Sequence, residues 1–406
     1  MPLRSILLAL PFALAATLAA EPVNEHGVQR VNMDASVRPG DDFNLYANGG
    51  WMKTAVIPPD QAAWGSFSTL RDKAAERTAA LIEDLAKTNA ARGSNERKID
   101  DFYASYMDED AIAAKGLAPL RRTYEAIAAI TDKAKLARAL GRSVRADVDA
   151  LNNTNFYTEN LFGLWVAPAF DDPGHYDAYL LQGGLGLPDR SYYLASGNDK
   201  FLAAYEIHVA NVLALAGFAD AADRAKAVVA LEVAIAQSHV SRADDEEVLK
   251  ANNRWTPADF AAKAPGMDWD AFLDGAGLSG ESSIFVWQPS AAAGAAAAAA
   301  NTPLAVWKDY LTFHLLNHFS PVLPKPFDDE RFAFYGVTMT GTPAPPPRWK
   351  RAVAAANAAL GWAVGKLYAA RYFPPAYKAQ AQGMVDKIKD AFARRIDALD
   401  WMSAAT

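Results

Sequence analysis

Residues 32–71 read NMDASVRPGDDFNLYANGGWMKTAVIPPDQAAWGSFSTLR, an aromatic-rich opening punctuated by Gly and Pro that runs straight into a helical pattern. From Ser66 onward Phe67, Leu70, Ala74, Leu81, Ile82 and Leu85 fall on one stripe of a 3.6-residue repeat, with Arg71, Asp72, Lys73, Glu76 and Arg77 off it. The spacing predicts a long amphipathic helix whose stripe faces a core. The same periodicity recurs at about 95–114, 116–130, 132–145, 199–217, 219–239, 302–319, 348–371 and 375–402. The fold class is therefore mainly α. Phe162–Ala167 and Tyr176–Leu181 are the exception, two β-favouring runs separated by the turn chemistry of Asp171-Asp172-Pro173-Gly174. They predict a small β-hairpin excursion near 160–182.

Composition bounds the rest. The chain has 406 residues, 51% hydrophobic and 21% charged, which suits a globular protein with one large core or two ordinary ones. A net charge of −7 offers no basic stripe for nucleic acid or anionic lipid. The absence of cysteine removes disulfides, thiolate metal sites and cysteine nucleophiles together. Residues 1–20 have the make-up of a cleaved signal peptide: Arg4, an apolar run from Ser5 to Leu18, and Ala19-Ala20 before Glu21. That run is short for a bilayer span of roughly 20 apolar residues. The expectation is a secreted, most plainly periplasmic, chain of 21–406 with no membrane contact after cleavage.

Asn32-Met33-Asp34, Asp41-Asp42-Phe43, Tyr46-Ala47-Asn48-Gly49-Gly50-Trp51 and Ile57-Pro58 stand in one order. With Gly186-Leu187-Pro188-Asp189-Arg190-Ser191-Tyr192-Tyr193 after the hairpin and Phe334-Tyr335-Gly336, Arg348-Trp349 and Tyr372-Phe373 further on, the chain resembles the neprilysin-like (M13) zinc endopeptidases. The resemblance covers nearly everything after residue 30. It implies a multi-helix, lid-type N-terminal domain that encloses a catalytic chamber, peptide substrates, and zinc in the complete enzyme. No His-Glu-x-x-His occurs, and Leu399–Thr406 resembles a family helix that continues onward, so the expectation is a chain cut short before its C-terminal catalytic half. The alternative from another class is a non-catalytic periplasmic helical module that binds peptides or acts as a chaperone.

Zinc on a peptidase helix needs two imidazoles one turn apart, a third ligand from elsewhere and a carboxylate base. His314-Leu315-Leu316-Asn317-His318 has the spacing, but Leu315 stands where the base would be. Glu96-Arg97-Lys98-Ile99-Asp100 has the spacing of the family's second zinc motif but precedes the histidines. The reading is that this chain supplies no metal ligand and no catalytic residue. His208 reads as a core histidine, and His26, His175 and His239 have no partner visible in the sequence. Gly183-Gly184-Leu185-Gly186 reads as a turn, and Ala291–Ala300 as a marginal helix or surface insertion too poor in apolar bulk for a core.

One residue carries a functional case by resemblance. Members of the family place an arginine just before an aromatic-Gly step and another seven residues after the aromatic, near the pocket for the substrate's C-terminal side. Arg71 matches the second, and Ala63 replaces the first. The resemblance thus makes Arg71 a substrate-binding residue able to fork onto a carboxylate. An exposed arginine in a surface ion pair is the other reading.

Overall fold

The computed structural model describes residues 27–146, 158–403 and 405; the expected signal peptide and His26 lie outside them. The chain divides into two units, Met1–Pro58 and Pro59–Thr406.

In the first unit, α1 (Phe43–Thr54) begins where the Asp42 carboxylate accepts the Leu45 N–H at 2.8 Å. Two motifs of the sequence turn out to be the halves of one contact. A Cβ on Gly50 would sit 2.8 Å from the carbonyl oxygens of Val31 and Met33, and one on Gly49 would sit 2.8 Å from Asp34 Cβ. Only glycine lets the Asn32-Met33-Asp34 segment lie against the helix. Lys53 Nζ then reaches Asp34 Oδ2 at 2.6 Å, and this bond, with those from Ser36, holds the Asp34 carboxyl down at about 2.

The second unit opens with α2 (Ser66–Ala86), α3 (Asn95–Met107) and α4 (Glu109–Lys115). The single helix expected over 95–114 is broken at Asp108, whose carboxylate caps the Ala111 N–H at 2.9 Å and so starts a new helix. Next come α5 (Arg121–Ala128) and α6 (Lys133–Arg142), the latter capped by Asp132. Strands β1 (Phe162–Pro168) and β2 (Tyr176–Gln182) pair antiparallel in the expected hairpin. Beyond them lie α7 (Ser191–Leu194), α8 (Asp199–Leu215), α9 (Ala221–Ser238) and α10 (Arg242–Asp245). β3 (Arg254–Trp255) and β4 (Ile284–Val286) flank α11 (Pro257–Lys263) and α12 (Trp269–Ala276). They extend the hairpin to a four-stranded sheet of order β1-β2-β4-β3, with β2 and β4 parallel. Strands of two and three residues are too short to show alternation, and sequence periodicity does not reveal them. The chain ends through α13 (Pro289–Asn301), α14 (Leu304–Phe319), α15 (Lys325–Arg331), a π-helical turn at Phe332–Thr338, α16 (Arg348–Tyr372) and α17 (Pro375–Asp397).

Alternation along the strands divides the sheet's side chains between two clusters. Phe162, Leu164, Leu180, Ile284 and Val286 join the main core, while Tyr179, Leu181, Phe285 and Trp287 build an aromatic cluster on the other face. The alanine run is not a surface insertion. Ala292, Ala295, Ala296 and Ala299 are buried in the main core, because small side chains let α13 press close to α9: a Cβ on Gly294 would sit 2.0 Å from Ser238 Cβ. Lack of bulk is what makes this approach feasible.

A separate small core joins α2, α3 and α16 through Ile82, Ile99 and Val364. It covers only the later turns of α2. Phe67 and Leu70, expected on the core stripe, are 89% and 62% exposed, because the stripe runs past the part of the helix that α3 and α16 cover. α17 buries none of its residues, and Met384, Val385, Ile388, Phe392 and Ile396 form a bare apolar stripe along it.

Close approach also governs the turn after β2. A Cβ on Gly186 would sit 1.8 Å from the Tyr205 hydroxyl, whereas one on Gly365, exposed in α16, would meet nothing within 4 Å. Gly186→Ala is expected to lower the unfolding free energy by at least about 2 kcal/mol through overpacking. Gly365→Ala should raise it by about 0.5–1 kcal/mol through helix propensity. Chemical denaturation of both variants checks the contrast, and equal small effects would contradict it.

Candidate functional site

Arg71 lies in the second turn of α2, exposed, with exposed Phe67 one turn before it on the same face and exposed Leu70 next to it in the chain. Its Nη2 donates to Gln61 Oε1 at 2.8 Å. That partner is an amide and not the acid of a surface ion pair, so the hydrogen bond orients the guanidinium without neutralising its charge. The loop that carries Gln61 is itself tied down. The Ala344 N–H donates to Pro59 O at 3.0 Å, and Lys350 Nζ bridges Asp72 Oδ2 at 2.7 Å and Asp60 Oδ2 at 3.3 Å. Burial favours loss of the Lys350 proton, but the bonds to Asp72 and Asp60 outweigh it and the ammonium is held above its usual range. A cation flanked by exposed apolar side chains, fixed from behind by α16, can receive an anionic group attached to an apolar residue. Ala63, beside this loop, is exposed and offers no second cation.

The histidines are committed elsewhere. His314, 7% exposed on α14, directs Nε2 to Glu232 Oε1 at 2.9 Å, and its Nδ1 is buried without a hydrogen-bond partner. His318, one turn on, places Nδ1 against the Glu159 carboxylate. Burial pushes Glu159 up, but the His318 hydrogen bond, with the nearby Arg331 guanidinium, outweighs it and the carboxyl is lowered. The Glu159 bond in turn raises His318 against burial. The pair therefore serves two different carboxylates rather than one shared point. Among the described residues no group of three or more His, Asp or Glu side chains is placed to hold a metal ion, and the residues present do not fit a peptidase zinc.

His208 is a core histidine, as its apolar neighbours in the sequence imply. It is 1% exposed, stacks on Phe334 and bonds Glu330 Oε1 at 3.1 Å and Asn317 Oδ1 at 3.2 Å. His175 does have a partner, Asp172 Oδ2 at 2.5 Å, inside the hairpin turn. His239 is buried beside Gly183, and burial depresses it to about 4.

Glu232 of α9 was not singled out by sequence reasoning, yet it is 0% exposed and accepts four hydrogen bonds. Besides His314, they come from Tyr205 Oη at 3.0 Å, Tyr193 Oη at 2.5 Å and the Gly186 N–H at 3.1 Å. Burial and the Glu232 charge push both phenols well above their usual range, so they remain donors. A signal was present: Glu232 stands on the buried stripe of Val228, Val229, Leu231, Ile235 and Ala236, where a lone acid demands partners. Gln61, Asp60, Asp72 and Lys350 gave no such signal, because each is an ordinary polar residue of a loop or helix start.

The family model Peptidase_M13_N, described as peptidase family M13, matches residues 39–406. Endothelin-converting enzyme-like 1 of Rattus norvegicus is 28% identical over 388 residues, spanning 92% of this chain and 49% of that protein. Endothelin-converting enzyme 1 of Homo sapiens is 27% identical over 390 residues, with 92% and 49% covered. The chain thus spans about half the length of the curated relatives it matches. Among solved structures, the Mycobacterium tuberculosis zinc metalloprotease Zmp1 in complex with inhibitor superposes with a TM-score of 0.82 at 31% identity, over 92% of this chain and 56% of that one. PepO from Lactobacillus rhamnosis shares the fold, with a TM-score of 0.73 at 20% identity over 91% and 57%.

Buried His239 makes stability sensitive to acid. Its folded value of about 4 lies below the ordinary 6.5, so between these limits the unfolded chain binds more protons. Its effect is absent above pH 6.5 and becomes a growing destabilisation as pH falls from 6.5 to 4, reaching about 3 kcal/mol. Urea titrations across this window should show a flatter acid limb in His239→Leu than in the parent chain. Parallel limbs would contradict the assignment.

Proposed function

The chain belongs to peptidase family M13, and from that premise we propose that it forms the N-terminal, helical, lid-type portion of a secreted zinc metalloendopeptidase that hydrolyses peptides. The zinc ligands and the general base are assigned to a C-terminal catalytic half. The observation that carries this reading is the bare stripe of α17, where Met384, Val385, Ile388, Phe392 and Ile396 lie on one face of a helix that buries nothing. An amphipathic helix gains most of its stability by covering such a face, so a partner surface is implied, and the catalytic half is the partner proposed. Secretion to the periplasm rests on the leader-like residues 1–20. Among the described residues no helix is long and apolar enough to cross a membrane.

Within that enzyme Arg71 is assigned to the peptide site. Its charge beside exposed Phe67 and Leu70 suits a peptide's C-terminal carboxylate with an apolar side chain. A single cation there, with Ala63 in place of a second, favours endopeptidase action over strict release of C-terminal dipeptides.

Three experiments test the reading. This chain on its own should bind a hydrophobic dye and self-associate, and a longer chain that carries both halves should do neither. A monomer that melts sharply and binds no dye would favour the non-catalytic peptide-binding or chaperone-like module instead. Metal analysis of the same preparation should give no stoichiometric zinc, and one zinc per chain, lost on substituting His314 and His318, would contradict the assignment of the metal to the other half. In the longer enzyme, Arg71→Ala should weaken kcat/KM for free-acid peptides more than for their C-terminal amides. The expected difference is about 1–3 kcal/mol, the range for a hydrogen bond to a charged group. Equal losses for acid and amide would remove Arg71 from the site.

A further inference from the structure

A cavity of about 830 Å³ lies between α5, α6, α14 and the chain entering β1. Its volume falls within the range of small-molecule sites. Much of its wall is aliphatic, with Ile130, Leu140, Leu161, Leu311 and Leu315 among the lining residues. His314 also lines it, as do Lys135, Arg138, Arg142, Ser143 and Asn160, and among the lining residues it is His314 that carries a buried polar atom without a partner. Tyr310 spends its hydroxyl on Gly184 O at 3.0 Å, and Glu159 is paired with His318. The Nδ1 of His314 has no partner, although the residue is only 7% exposed.

The hydrogen bonding of Glu232 decides what that nitrogen lacks. A carboxylate accepting from Gly186, Tyr193, Tyr205 and His314 has all its lone-pair sites filled by donors, so His314 must carry its proton on Nε2. In the neutral ring Nδ1 is then a lone-pair acceptor, and a buried acceptor left unmet costs about 1–3 kcal/mol. Leu311 stands one turn before His314, and Leu315 stands next to it.

We propose that this cavity binds a largely apolar, neutral small molecule ending in one O–H or N–H donor, an aromatic alcohol being the simplest case, with His314 Nδ1 accepting the hydrogen bond. The aliphatic wall provides affinity in proportion to the area it covers, and the unmet Nδ1 acceptor sets orientation. The site is independent of the peptidase reading and uses none of the residues assigned to the peptide.

Equilibrium titration of the full chain with 1-naphthol, followed by its fluorescence, tests the proposal against 1-methoxynaphthalene, which has the same rings and no donor. One saturable site is expected, with the methyl ether binding about tenfold more weakly, the worth of one hydrogen bond to an otherwise unmet acceptor. Ala139→Phe fills the cavity from its wall and should abolish saturable binding while leaving His314 and Glu232 untouched. His314→Phe should bring the two ligands to equal affinity. If that variant does not fold because Glu232 has lost a donor, the ether comparison and Ala139→Phe still decide. Absence of saturable binding, equal affinity for naphthol and its ether in the parent chain, or binding unchanged in Ala139→Phe would each overturn the proposal, the last by placing the ligand outside the cavity.

Discussion

The Glu232 carboxylate, with no exposed surface and four donors converging on it, is the interaction on which the arrangement of the second unit depends. Removing an ionised carboxylate from water costs several kcal/mol, and only a full complement of hydrogen bonds offsets it. Those bonds arrive from α7, α8, α14 and the turn after β2, so one charge on α9 fixes four separate pieces of chain around itself. The demand then propagates into sequence. Tyr205 can reach Glu232 only past Gly186, and a Cβ on Gly184 would sit 2.8 Å from Tyr310 Oη, so the turn must keep its glycines. Tyr193 is the last aromatic of the Gly-Leu-Pro-Asp-Arg-Ser-Tyr-Tyr segment, which ties that motif to the same carboxylate.

Burial is uneven along the chain, and the unevenness has functional meaning. The stretch from α5 to the π-helical turn is closely packed, with sheet, alanine helix and aromatic residues sharing the main core. α2 and α16 are covered over part of their length, and α17 is bare. α16 also leaves helical geometry at Leu360, where φ is −130° and ψ is 26°. Polar links to α2 come from both sides of this break: Lys350 bonds Asp72 before it, and Arg371 Nη1 bonds Asp84 Oδ2 at 2.7 Å after it. A closely packed core thus carries partly uncovered helices, an arrangement in keeping with the proposed contacts to a peptide and to a second protein surface.

The sequence made the helices and the hairpin legible because both rest on local periodicity and turn chemistry. α8, α9, α14 and α16 lie close to their expected bounds. What failed was everything decided by distant neighbours. Phe67 and Leu70 match a core stripe, but whether a stripe is covered depends on where α3 and α16 pack. The alanine run looked too thin for a core, since the proximity of α9 is invisible from residues 291–300. Of the candidate site, Arg71 was visible through resemblance, whereas its support from Gln61 and Lys350 spans 10 residues in one case and reaches α16 in the other. The histidine pair was legible as spacing only. Its opposed partners, Glu232 and Glu159, lie 82 and 159 residues away in sequence.

The role given to Glu232 is tested most directly by the unfolding free energy of Glu232→Gln, measured by chemical denaturation near neutral pH. The substitution keeps shape and volume but exchanges an acceptor oxygen for an amide NH₂, which faces donors and leaves them unmet. The expected loss is about 3 kcal/mol or more, as for a buried charge network that has lost its acceptor. A variant within about 0.5 kcal/mol of the parent would contradict it, because the four donors would then be finding equal partners without the carboxylate.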